Sequence, residues 1–485
     1  MTPDGLDQLE NRLAQDLSFL CYPPENWVPP RRSEDGPVSD AVIVGGGMCG
    51  MVAWFALNRA GIRNIRILDR SPHGYEGPWD TFARMETLRS PKQLVGPASG
   101  QPSLTFQAWY RARFGAEAWD RLDKIPRRMW MDYLRWFRKV LAIPTENNVS
   151  MTKVEPHGDL LRLTVTGDVE GTILTRRLIM ATGRDGTGAP AVPDFVKDLD
   201  PSFWAHSSDD IDFAALRGRR VAVVGVGASA VDNAAEALEA GAAEVRHVIR
   251  RKHMPTVNKM MGIGSYGFVA GFAQMPDEWR WRFMHYSFAT QTPPPRGSTM
   301  RVSRHPNAFF HFGKAVQSVA RKEEGIRIGF ADGTALDTDY LILGTGFTVD
   351  PMSRTEFGPV SDQILLWRDV FTPSEDEPSR DLGLFPYLND DFSLREKVPG
   401  SAPWLSKVLC FNYGSTVSLG KVSGDIPAVS EGGVWLARSL AASLYNEDIE
   451  THWQALQAYD KPELTGDEWA ASDLPATTPV LEPSR

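Results

Sequence analysis

Cysteine is scarce in this chain. Cys21, Cys49 and Cys410 stand far apart with no Cys-x-x-Cys pair among them, which supplies ligands for neither a disulfide framework nor a zinc site and fits a reducing compartment. Positive charge is also short: 52 Lys and Arg against 61 Asp and Glu leave a formal net charge of −9. With no basic excess, nothing drives binding to nucleic acid or to an anionic membrane, so any anion site has to be local. No apolar run is long enough to span a bilayer, and the start, MTPDGLDQLENRLAQDL, is acidic where a secretory leader would be basic and then apolar. A soluble cytoplasmic protein is expected. His305 and His311 lie six apart in SRHPNAFFH without carboxylate or cysteine neighbours; they are read as structural, and no metal is expected.

Glycine and tryptophan are plentiful instead, at 42 and 15 residues. Trp109, Trp119, Trp130 and Trp136 fall in one segment and Trp279 and Trp281 in another. Such aromatic clusters build core more often than they bind ligand. A chain of 485 residues is long for one core, so two or three domains are expected.

Residues 7–20 read as a short helix, and the proline-rich YPPENWVPPRRSEDGP as a leader. Then DAVIVGGGMCGMVAWFALNRAGIRNIRILDR gives strand, glycine turn, helix and strand at the length of a βαβ unit. Helical patterns follow between Trp79 and Pro144; residues 152–166 and 172–181 read as strands. A second βαβ unit spans 219–251, and an aromatic insertion belonging to neither unit fills 254–313. Strand, Asp-Gly hairpin and buried strand come next in GIRIGFADGTALDTDYLILGTGF; KVLCFNYG reads as a strand and DIPAVSEGGVWLARSLAASLYNED as a helix.

In the first unit Gly45, Gly47 and Gly50 form GxGxxG between strand and helix. The first glycine permits the tight turn, the second lets a pyrophosphate approach the backbone, and the third lets helix and strand pack closely. Nineteen residues after Gly50 stands Asp69, followed by Arg70. A carboxylate there accepts hydrogen bonds from an adenosine ribose and repels a 2′-phosphate, so the ligand is FAD or NAD rather than NADP.

The second unit has Gly225, Gly227 and Ala230 as GxGxxA, with Ser229 placed to cap the helix or touch phosphate. Where the acid should stand are Arg250 and Arg251. Two guanidinium groups there would clamp a 2′-phosphate and select NADPH; surface arginines at a strand end are the other reading. A protein holding both ligands can pass a hydride between them.

Together these pieces resemble the NADPH-dependent flavoprotein monooxygenases with two dinucleotide-binding domains, a group that includes flavin-containing monooxygenases, amine N-hydroxylases and Baeyer–Villiger enzymes. The matching stretches are GGGMCG with Asp69, EGPWDTFARMETLRSPK, ATGRDGTGAP, FWAHSSDDIDFAALRGRRVAVVGVGASAVD and LILGTGF. The Phe-x-Gly that opens the Baeyer–Villiger signature is not seen before His206, and the asparagine of flavin-containing monooxygenases is replaced in METLRSPK by Arg89, Ser90 and Lys92.

The resemblance implies an α/β fold with two Rossmann-type domains, the NADPH domain (216–334) inserted in a discontinuous FAD domain (36–215 and 335–485) behind a leader (1–35). It also implies an FAD-dependent monooxygenase that uses NADPH and O2, through a C4a-(hydro)peroxyflavin, to oxygenate a small organic substrate, at nitrogen or sulfur first. Baeyer–Villiger oxygenation and a non-monooxygenase FAD/NADPH oxidoreductase or redox sensor are the alternatives.

By the same resemblance Trp79 lies near the flavin, Val154 meets the adenine through its backbone, and Asp425 holds the ribityl chain. Trp79, Ser90 and Lys92 are the candidate catalytic residues. Lys92, Gln93, Lys259 and Arg301 are candidate polar anchors for the substrate, and His206 is read as organising the domain junction. Self-association is left open.

Overall fold

The computed structural model describes residues 4–474. Two compact units are distinguished along the chain, 1–441 and 442–485. The second contains the helix Ile449–Ala458; everything below concerns the first.

Apolar residues at consecutive positions of Gly36–Val44 leave the strand buried over most of its length, as expected where both faces of a sheet are covered. It is central to the first sheet. Ile65–Leu68 and then Thr145–Glu146 lie parallel on one side of it, and Gly171–Met180 lies parallel on the other. From there the sheet continues antiparallel through Leu160–Gly167 to Val149–His157, while Val408–Leu409 pairs with Gly171–Met180. KVLCFNYG was expected to be a strand throughout; pairing stops at Leu409 because Asn412 turns the chain into a short 3-10 helix, Tyr413–Ser415.

The second sheet is wholly parallel, in the order Ala308–Phe312, Glu244–Ile249, Arg220–Val224, Tyr340–Leu343, Trp204–His206. One face packs on the alanine-rich helix Ala228–Glu239, through Val221, Val223, Val245 and Ile342. The other face, Ala222, Val248, Leu341 and Leu343, packs on a three-stranded meander (Val316–Arg321, Ile326–Phe330, Ala335–Thr338) through Ile326, Ile328 and Phe330. In both sheets the glycine turn leaves the central strand where its neighbours diverge, the switch point at which α/β sheets open a crevice for ligands.

The segment 254–313 does not stand wholly apart from the second unit, as had been expected. Ala308–Phe312 is an outer strand of that sheet, and Val302 of the helix Arg296–Ser303 enters its core. A five-residue strand beside His and Pro carries too little pattern to be separated from an aromatic loop. Of the tryptophans singled out in the sequence, Trp279 is 47% exposed and departs from the core reading, while the others are buried. Phe272, Trp281 and Met284 pack with Val349, Trp367, Leu382, Phe385 and Val417; Trp109 and Trp130 are also fully buried. No helix among the described residues is long and apolar enough to cross a membrane.

Candidate functional site: two nucleotide cradles

Three glycines of the first turn are glycine for three different reasons. Gly45 has φ +105° and a Cβ there would collide with Ala181 O; a Cβ on Gly50 would collide with Gly45 O. Gly47 is under no such demand. Its backbone is extended (φ −70°, ψ −168°) and the nearest atoms to a Cβ would be 3.7 Å away, on Gly77. The protein itself leaves room for a side chain at Gly47. Behind it the helix Met48–Arg59 presents free N–H groups, the arrangement that receives phosphate.

Asp69 is buried beside the turn, accepting from Gly46 N at 2.7 Å and from Ser71 N at 2.7 Å. Arg70 is exposed and 4.0 Å from Asp185. Around Asp69 the chain builds a network that sequence reasoning missed. Buried Glu76 takes hydrogen bonds from Arg138, Asn147 and the Gly74 N–H, and Val149 N donates to Asp69 O at 2.9 Å. The spacing between Glu76, Arg138 and Asn147 offered no signal. Val154 is buried on the strand that Val149 begins and pairs with Leu163, five residues beyond the one that reaches Asp69.

The tail returns to the same turn. Cys49 Sγ donates to Ser423 O at 3.0 Å, and burial followed by the charge of Asp425 pushes the Cys49 thiol up to about 12. This thiol is inert at neutral pH. Asp425 precedes Ile426–Ala428 and the long helix Val429–Glu447. Trp79, two residues past Gly77, meets Trp130 edge-on at 6.3 Å. Gly77 lies 3.7 Å from the Cβ position of Gly47, and Cys49 ties the same turn to Ser423, so the segments that carry Trp79 and Asp425 both approach the first glycine turn.

The second turn repeats the logic. Gly225 (φ +129°) would collide with Gly344 O if it carried a Cβ, and the Cβ of Ala230 already fills the space against Gly344. Gly227 has an ordinary backbone (φ −74°, ψ 172°), and the one atom within 4 Å of its would-be Cβ is Gln291 Nε2 at 3.8 Å. Ser229 stands exposed on the first turn of the helix. Beneath, buried His247 bonds Gly225 O through Nε2 at 2.7 Å, and burial lowers its pKa to about 4. It is neutral and donates, pinning the turn from below.

His206, at the end of an outer strand of the second sheet, bonds Gly346 O through Nε2 at 2.9 Å and Ser208 Oγ through Nδ1 at 2.7 Å, and burial lowers its pKa. Arg250 is exposed with no side-chain partner among the described residues. Arg251 is engaged, donating to Gln291 Oε1 and Ala289 O.

Of the other candidates, Lys92 and Arg301 are engaged by the fold. Lys92 Nζ donates to Trp119 O at 2.7 Å, Leu122 O at 2.6 Å and Asp120 O at 3.3 Å, ending the helix Ala116–Arg121. Arg301 is buried and binds Glu236 at 2.8 Å, Glu239 at 2.6 Å and Arg84 O at 3.0 Å. Ser90 is half-buried without a hydrogen bond among the described residues, Gln93 is exposed, and Lys259 lies 5.8 Å over Tyr286.

Residues 42–262 match the model of the pyridine nucleotide-disulphide oxidoreductase family. Over 465 residues, 95% of this chain and 98% of the relative, the sequence is 36% identical to the FAD-dependent urate hydroxylase of Xanthomonas campestris pv. campestris. The chain belongs to the FAD-dependent hydroxylase family. Its fold is that of flavin monooxygenases with two dinucleotide-binding domains. The ornithine hydroxylase of Pseudomonas aeruginosa covers 84% of this chain and all of its own (100%), with a TM-score of 0.66 at 16% identity. The ornithine N-hydroxylase of Kutzneria sp. 744 does so with 0.64 at 18% (84% and 100% covered). In this hydroxylase relative the three cysteines are free and unpaired with one another, so a dithiol for disulfide reduction is not formed among the described residues.

Proposed function

We propose that the chain is an FAD-dependent monooxygenase that takes NADPH and O2 and places one oxygen atom on a small nitrogenous substrate, at nitrogen in the first instance. The observation that carries this reading is the pair of open cradles: of the glycines in the two fingerprints, Gly47 and Gly227 are the ones where a Cβ would meet no protein atom closer than 3.7 Å, one beside an acid and the other beside arginines. When bound, FAD reduced by NADPH supplies the activation of O2, one atom going to the substrate and the other leaving as water.

The chain holds these groups. Gly45, Gly47 and Gly50 with the helix that follows receive the FAD pyrophosphate; Asp69 takes the ribose hydroxyls, with Arg70 and the Val154 backbone on the adenine side. Trp79 and Asp425 lie toward the flavin. Gly225, Gly227, Ser229 and Ala230 receive the nicotinamide dinucleotide. We assign the first sheet to FAD and the second to NADPH, behind the leader 1–35; the expected bounds of 216–334 are too narrow, because Trp204–His206 and Tyr340–Leu343 are strands of the second sheet and Ala335–Thr338 belongs to the meander packed on it.

Similarity along nearly the whole length to a urate hydroxylase favours a second substrate reading, hydroxylation of a nitrogen-rich heterocycle of the urate kind. The test is one assay with two arms. Purified protein is reconstituted with FAD and supplied with NADPH, 18O2 and either urate or a set of primary amines, and products are weighed. Incorporation of one labelled atom with stoichiometric NADPH use is expected in one arm. A protein that takes up no FAD, or turns all O2 into hydrogen peroxide with every substrate, contradicts the reading.

A further inference from the structure

The helix Asp277–Thr290 ends on a residue with a strained backbone, Gln291 at φ +56° and ψ 134°. A non-glycine residue held there needs support from its surroundings, and such residues gather at functional sites. Three prolines follow at 293–295 and limit how the chain can relax.

The Gln291 side chain spans the second cradle. Its Oε1 accepts from Arg251 Nε at 2.9 Å, and Arg251 Nη2 donates in turn to Ala289 O at 2.8 Å. Its Nε2 stands 3.8 Å from where a Gly227 Cβ would be and donates to no acceptor among the described residues. With the oxygen fixed by a guanidinium, the amide orientation is decided: N–H faces the glycine turn. A neutral donor beside an open glycine, at the start of the helix Ala228–Glu239, adds to the backbone N–H groups that receive a pyrophosphate.

Two of the donors of Arg251 are therefore committed to the protein. Its neighbour Arg250 is exposed and without a side-chain partner among the described residues. The two arginines that sequence alone treats as one clamp have different tasks.

We propose that Gln291 is a positioning residue for the dinucleotide, donating its amide N–H to the pyrophosphate beside Gly227, that Arg251 buttresses Gln291, and that selection of the 2′-phosphate falls to Arg250. The inference rests on the NADPH reading of the second cradle.

Equilibrium titration of the FAD-loaded protein with NADP+ and with NAD+ tests it. Wild type binds NADP+ more tightly. R250A weakens NADP+ by about tenfold and leaves NAD+ within about twofold, because a lost phosphate contact touches one ligand. Q291G relieves the positive φ, so its melting temperature is not lowered, yet it weakens both ligands about fivefold or more with their ratio unchanged. Q291E keeps an acceptor for Arg251 while removing the donor, and it too weakens both. Unchanged affinities in Q291G and Q291E overturn the role of Gln291. A preference for NADP+ that survives R250A and vanishes in R251A overturns the division between the arginines. Equal binding of NADP+ and NAD+ by wild type overturns the NADPH reading itself, and the effect of Q291G on NAD+ still decides for or against Gln291.

Discussion

The backbone N–H of Gly46 donates to Asp69 Oδ2 at 2.7 Å, so the acid that ends one strand is fixed against the glycine turn that ends its neighbour. With Ser71 N holding the other oxygen, the carboxylate is oriented before any ligand arrives. Hydrogen bonds to a charged group contribute about 1.5–3 kcal/mol. D69A is expected to weaken FAD retention by about tenfold or more, read as the flavin-to-protein absorbance ratio after gel filtration, with D69N in between. Full flavin content in D69A contradicts the assignment.

Lys92 serves the fold. Its three carbonyl acceptors lie at the end of Ala116–Arg121, and removing the ammonium leaves them partly unsatisfied, at a cost of about 1–3 kcal/mol. K92A should melt earlier than wild type while its kcat/KM, measured well below the melting range, stays within about twofold. A large fall in kcat at unchanged stability would return Lys92 to the candidate catalytic residues.

Arg301 gives the same contrast. Its side chain is 4% exposed and pairs with Glu236 and Glu239; R301A leaves Glu236 without this partner and Glu239 with Arg304 alone, both acids about one-third exposed, at a cost of about 1–3 kcal/mol. A drop in denaturant midpoint is expected; a stable R301A with altered substrate KM would show the residue to be an anchor after all.

Two buried groups pull the pH dependence of stability in opposite directions. His247, lowered to about 4 from 6.5 by burial, takes no proton in the folded state while the unfolded chain does, so stability falls as pH drops from about 6.5 toward 4, by about 3 kcal/mol at most. Asp232 is raised to about 6, burial first with Ser298 and Arg301 opposing. Its contribution is full below about 4 and is lost as pH rises through 6. D232N should therefore steepen the loss of stability on acidification between pH 6 and 4, and H247Q should flatten it, both read as midpoint against pH in urea. The same slope in all three proteins contradicts these environments.

Much of this arrangement was legible because it is local in sequence. GGGMCG and GVGAS announce their turns within six residues, and Asp69 and Arg250 follow at the length of one helix and strand. What escaped is what folding brings from afar. Gln291 meets Arg251 across 40 residues, and Glu76 meets Arg138 across 62, with no motif marking either. Lys92 and Arg301 looked available because a cation's partners are invisible when they are backbone carbonyls or acids dozens of residues away. Ala308–Phe312 hid among aromatics because five residues fit a strand or a loop equally well.

On the cradle reading, the space over Gly47 and Gly227 belongs to two nucleotides and to no protein atom. G47A and G227A test it side by side with G45A, by melting temperature, flavin content and NADP+ affinity. G45A is expected to be destabilised by its positive φ and the collision with Ala181 O. G47A is expected to melt as the FAD-free wild type does yet retain little flavin, and G227A to keep its flavin and bind NADP+ at least about tenfold more weakly. Normal flavin retention in G47A together with normal NADP+ binding in G227A would contradict the cradle reading.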